Sequence, residues 1–156
     1  MASFNKDLFI SYAHKDERMK DELVMRLKLL QAQGLVDCWH DRMIEVGEEW
    51  DRHIMRELDS ADIILMLVTS ASLASDYIRT KEMENALQRS SRGEAAVFPV
   101  ILEHCQWQLT PLKDFQALPE DAKPVRDWKP QRNGWYNVME GLRKKIAGMK
   151  RNRSVL

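Results

Sequence analysis

The chain has few of the features that announce a common chemistry. Its six glycines are isolated, and neither GxGxxG nor a Walker loop occurs. That excludes the usual dinucleotide loop and the P-loop NTPases. Its two cysteines, Cys38 and Cys105, stand far apart with no CxxC. A disulfide framework or zinc ribbon is therefore not expected, and both thiols read as small buried hydrophobes. The four histidines lack metal-ligand spacing, so no metal site is predicted. No GxSxG elbow is present. Neither sign of charge is in excess: 24 Lys+Arg face 24 Asp+Glu. A dedicated nucleic-acid binder usually carries a basic excess or stripe, so no direct nucleic-acid partner is expected. Zero net charge also leaves no long-range repulsion between copies. No apolar run approaches the roughly 20 residues of a membrane span. Residues 1–7 carry no apolar signal segment, so the expected location is cytoplasmic.

What is present is enough for one domain. The chain has 156 residues, 44% of them hydrophobic, which excludes disorder. Leu8–Tyr12 is an apolar burst. From Asp16, read as an N-cap, Met19, Leu23, Leu27 and Leu30 recur at helical spacing until Gly34. Leu35–Trp39 is a second strand candidate, and Glu48–Ser60 a helix on Trp50, Ile54 and Leu58. Ile63–Val68 is a continuous apolar run, the mark of a strand buried on both faces. Ser70–Ser75 reads as a loop and Asp76–Arg92 as a helix with Met83, Ala86 and Leu87 inward. Ala95–Leu102 is a strand in which Pro99 points to an irregularity or an edge position. Glu103–Lys123 reads as a long connection with one helical turn, and Pro124–Trp128 as a last strand. Asn133–Arg151 is a helix with Trp135, Val138, Leu142 and Ile146 on one face, followed by a frayed tail.

This alternation predicts an α/β fold, a flavodoxin-like five-stranded parallel sheet of order 2-1-3-4-5 with helices on both faces. Ligands of such sheets bind beyond the carboxyl ends of the strands. Three segments fall there: Tyr12–Asp16, His40–Trp50 and Ser70–Glu82. A receiver-type phosphorylation site needs acidic residues after the first and third strands. Ser11-Tyr12 and Val68-Thr69-Ser70 stand there instead.

The polar residues at this rim carry a resemblance. Asp7-Leu8-Phe9-Ile10-Ser11-Tyr12-Ala13-His14-Lys15-Asp16 resembles the opening box of TIR (Toll/interleukin-1 receptor/resistance) domains. Trp39 to Gly47 resembles their second box, in the BB loop. Ala61 to Ser70, then Leu73 to Ile78 and Glu82-Met83, is similar to the third strand and αC region. Phe98 to Leu102 and Pro124 to Trp128 are similar to strands of the bacterial subgroup. The order and spacing of the boxes over Asp7 to about Lys150 make the match specific.

The resemblance implies one of two functions. Many bacterial and plant TIR domains cleave NAD+ at the nicotinamide–ribose bond, some of them cyclising the ADP-ribose. Many animal TIR domains are non-enzymatic adaptors. The enzymatic reading takes NAD+ as substrate, needs no further cofactor, and places the protein in bacterial immunity or virulence signalling. Its catalytic carboxylate is Glu82, on the helix that faces the strand ends. Nicotinamide leaves as a neutral molecule from an oxocarbenium-like ribose, and an ionised carboxylate stabilises that charge, as in glycosidases. An ionised glutamate is best served by partial burial with hydrogen bonds. Taken without the resemblance, Glu82 is an ordinary helical glutamate bordering an apolar stripe.

The resemblance extends the substrate site to Tyr12, Ala13 and His14 after the first strand and to Asp41, Arg42 and Glu45 in the flap-like BB loop. It also includes Trp50, for which core packing competes with adenine stacking, and Ser75 and Ile78. Enzymatic relatives commonly carry a stacking tryptophan where Ile78 stands. That departure favours the second reading, a TIR–TIR interaction module. Either way the expected partners are other TIR domains, through homo-oligomerisation, and a regulatory domain. The chain is expected to be one TIR domain over residues 1–156, the N-terminal part of a longer protein.

Overall fold

The computed structural model describes residues 6–40 and 50–155, without the side chains of 38–40, 50–53 and 150–155. Four parallel strands form the sheet: β1 (Lys6–Ser11), β2 (Val36–His40), β3 (Ile63–Val68) and β4 (Ala96–Ile101), in the order β2-β1-β3-β4. Leu8 pairs with Ile63 and Ser11 with Met66, so β3 runs two residues past the end of β1. The order reverses between them, which makes their carboxyl ends the switch point where such sheets take ligands.

Every residue of β3 is buried, as its unbroken Ile-Ile-Leu-Met-Leu-Val run predicts. Alternate side chains serve two cores. On one face Leu8, Ile10, Tyr12, Leu65 and Leu67 pack with α1 (Glu17–Ala32) and α5 (Gln131–Val155). On the other, Phe9, Ala13, Ile64, Met66 and Val68 meet α2 (Trp50–Ser60) and the helix that follows β3. Each fully buried aliphatic side chain contributes about 1.5–3 kcal/mol of transfer free energy. Met19, Leu23, Leu27 and Leu30 of α1 are buried as their spacing requires. The chain leaves α1 through Gly34 at φ 73°, a left-handed position that glycine takes without strain.

The fifth strand of the sequence reading is absent among the described residues. Val125–Asp127 is a 3-10 turn, and only Leu118 bridges to Val100, with Leu118 N donating to Pro99 O at 2.8 Å. Past Leu118 the next N–H in line, that of Glu120, donates to Asn137 Oδ1 at 2.6 Å, and Arg126 N–H makes a single bond to Leu102 O at 3.1 Å, so the pairing does not extend. Pro99 sits on the strand's outer edge, as expected of a strand proline.

Other boundaries also differ. Ser70–Ala74 is a short helix, α3, not a loop. Thr69 caps it reciprocally with Ser72, a capping box in which serine replaces the usual glutamate. The connection 103–123 holds three 3-10 turns, at Trp107–Leu109, Pro111–Asp114 and Glu120–Ala122. α5 begins two residues early and runs through Val155, where fraying was expected.

Candidate active site at the strand ends

The helix after β3 is helical from Asp76, but Ile78–Met83 winds as a π-helix before regular α4 (Glu84–Ser91). Ser75 starts it by accepting the Ile78 backbone N–H on its hydroxyl at 3.2 Å. π-turns carry an extra residue per turn and are frequent at functional sites. Here the wider turn brings Ile78, Glu82 and Met83 all inside. Glu82, expected beside the apolar stripe and partly buried, is instead fully buried.

Its carboxylate meets the end of β1. Ser11 Oγ donates to Glu82 Oε1 at 2.5 Å, and both groups are buried. Alternation sets this contact. Ser11 shares the face of Phe9 and Ala13, which looks toward α4, whereas Tyr12 points toward α1.

The structure therefore separates the expected site residues. Glu82, Ala13 and Ile78 gather on one face of the sheet, Ile78 packing in the core with Phe9 and Ile54. Tyr12 lies in the opposite core, with Lys20 Nζ 5.2 Å from its ring centroid. His14 is exposed, 3.5 Å from Glu17. Trp50 opens α2, but its side chain lies outside the description. Asp41, Arg42, Glu45 and Gly47 all lie outside the described residues.

A second polar cluster was not foreseen. Asp16, expected to cap α1, makes no such bond and instead accepts from Thr69 Oγ1 at 2.5 Å. This ties the loop after β1 to the end of β3. Beside it, Glu103 accepts from the Ser70 N–H at 2.9 Å and pairs with Arg126. Asp16, Glu103 and Arg126, with Lys15 and Ala71, line a cavity of about 240 Å³. Thr69 three residues before Ser72 was the available signal for a cap here; nothing in the sequence joins Asp16 to Thr69. Larger cavities of about 550 and 500 Å³ run along α5, and Glu82 lines neither. Among the described residues, no cluster of His, Cys, Asp and Glu is fit to hold a metal.

Burial pushes the Asp16 carboxyl above its ordinary value, aided by Glu103 and opposed by the Thr69 hydrogen bond, Arg126 and Lys15. The folded state thus holds this proton more tightly than the unfolded chain. Stability falls as pH rises from the unfolded value of about 3.9 through the raised one. Asparagine keeps an oxygen for Thr69 and removes the charge. Asp16→Asn is therefore expected to gain stability relative to wild type between pH 4 and 7, read from urea midpoints at both. A difference independent of pH would contradict this account.

The model for the TIR domain family matches residues 8–132. The chain belongs to the TIR domain family. It is also 37% identical over 147 residues to "Uncharacterized protein y4lF" of Sinorhizobium fredii (strain NBRC 101917 / NGR234), a bacterial relative. The match covers 94% of this chain and 46% of that protein, so the TIR domain spans about half the length of its relative. The parallel sheet, its order and the flanking helices are those expected of a TIR domain. Among the described residues, no helix is long and apolar enough to cross a membrane.

Proposed function

We propose that this TIR domain is an NAD+ nucleosidase with Glu82 as its catalytic carboxylate. The observation that carries the reading is the placement of Glu82. A π-turn and the Ser11 hydroxyl hold its carboxylate at the end of β1, at the switch point of the sheet. In the reaction the bond between ribose C1′ and the pyridinium nitrogen breaks. Its electron pair leaves with nicotinamide and cancels the pyridinium charge. Positive charge develops on the ribose, and the carboxylate faces it. Preorganised charge in a water-poor site is worth far more than in bulk water. Water then bonds to C1′ and releases a proton, giving ADP-ribose; attack by a group of the ADP-ribose itself would give a cyclic isomer. The reaction needs no redox cofactor, and NAD+ enters it as substrate.

Full burial of Glu82 means that the ribose reaches it only in another state of the domain. TIR domains commonly associate with one another, and we infer that self-assembly selects that state. Bacterial immunity or virulence signalling in the cytoplasm, under a regulatory domain, is the setting that fits such a switch. The test is nicotinamide release from NAD+, measured by chromatography across protein concentrations. The expected rate per protomer rises with concentration. Absence of nicotinamide at every concentration, with and without a crowding agent, would contradict the proposal.

A second reading, a non-enzymatic TIR–TIR adaptor, is favoured by Ile78. That side chain is buried in the core and supplies no stacking ring. Under this reading self-association persists while NAD+ stays intact.

A further inference from the structure

We propose that Ser11 is the positioning residue of Glu82: its hydroxyl, fixed at the end of β1, sets where the carboxylate stands. The inference rests on the nucleosidase reading and adds a residue to it.

Ser11 is a polar interruption of an apolar strand. Leu8, Phe9 and Ile10 precede it, and all four are buried. Alanine would fill the same position without a hydroxyl to satisfy. A buried hydroxyl costs free energy unless it is hydrogen-bonded, so its bonding has to be accounted for. The hydroxyl donates to Glu82 Oε1, 71 residues away in sequence. The two ends of this bond differ in rigidity. Ser11 pairs with Met66 in the sheet register, so the donor is fixed by two strands. Glu82 carries three rotatable side-chain bonds on a π-turn. The donor therefore selects the rotamer of the acid.

Other buried polar side chains near the strand ends have partners of their own. Asp16 takes the Thr69 hydroxyl, and Lys20 pairs with Asp21 at 2.6 Å. Ser72 and Thr69 close their own capping box. Two effects follow from the Ser11 bond. A fixed donor holds the carboxylate near its reacting geometry, where misplacement by about 1 Å can cost about 100-fold in rate. A hydrogen bond to the charged form also lowers the pKa of an acid that burial alone would raise.

Ser11→Ala and Ser11→Cys test this in the full chain. Cysteine keeps the shape and offers only a weak donor, so a packing role and a donor role separate. The expected result is a fall in kcat of about 10- to 100-fold for both variants, with KM little changed. The acid limb of the pH–kcat profile should move up by about one to two units. Carbon-13 NMR of the Glu82 carboxyl, identified by its loss in Glu82→Gln, gives a reading that needs no activity. Its titration should move upward in Ser11→Ala. Wild-type kcat in folded Ser11→Cys, or an unmoved Glu82 titration in Ser11→Ala, would overturn the positioning role alone. A moved titration in a protein whose wild type releases no nicotinamide would overturn the nucleosidase reading, and the positioning role with it.

Discussion

Glu82→Gln is expected to reduce nicotinamide release by about 100- to 1,000-fold, the usual cost of removing one preorganised electrostatic group. The substitution is nearly isosteric. The amide oxygen still accepts from Ser11, so the bond at the end of β1 survives and only the charge is lost. Thermal stability should therefore stay within a few degrees of wild type. That pairing of outcomes distinguishes a catalytic carboxylate from a structural one. If Glu82 served only to satisfy Ser11 in the core, the glutamine variant would retain wild-type rate. If it held the fold together through its charge, rate and stability would fall in step. Circular dichroism melting beside the rate assay separates these cases.

The largest stability effect is expected at Trp135. Its side chain is fully buried between α5, α1 and the sheet, with the Arg26 guanidinium 5.9 Å from its ring centroid. Its indole N–H has no hydrogen-bond partner among the described residues, so its contribution is packing and the contact with Arg26. Trp135→Ala should cost about 3–5 kcal/mol through lost transfer energy and the cavity left behind. For a domain of this size that lowers Tm by about 6–20 °C. Tyr136, one residue on, is 68% exposed, and Tyr136→Ala should change stability by about 0.5 kcal/mol or less. Similar losses at the two positions, measured by thermal melts, would contradict the assigned face of α5.

The periodic parts of the chain were legible because one period decides their burial. The apolar run Ile63–Val68 is a strand with the predicted bounds, and the α1 stripe is buried at each expected residue. The failures share a physical cause. Pro124–Trp128 has strand-like residues, yet whether a segment joins a sheet depends on free N–H groups along its partner edge. Pro99 supplies none on the outer edge of β4, and past Leu118 the Glu120 N–H goes to Asn137 Oδ1 instead. The short helix α3 depends on a cap at Thr69, a local bond that hydrophobic patterning does not register.

At the site, the face of α4 that looks inward was legible, but the depth of Glu82 was not. A regular helix would have left Glu82 at the margin of the stripe. The π-turn moved it inside, and no residue from Ile78 to Met83 signals a π-turn on its own. Ser11 was read only as part of a motif, because its partner stands 71 residues away. Asp16 was misread for a similar reason. Its position before α1 fits a cap, but Thr69, brought close by the parallel pairing of β1 and β3, takes its carboxylate instead.

The central claim is that the nicotinamide riboside of NAD+ reacts against Glu82 at the end of β1. A crystal structure of the assembled domain with a non-cleavable carbocyclic NAD+ analogue tests it most directly. The account predicts the ribose ring beside the Glu82 carboxylate, with a ring hydroxyl donating to it and the Ser11 contact in place. An analogue seated in the groove along α5, with Glu82 still sealed in the core, would contradict it.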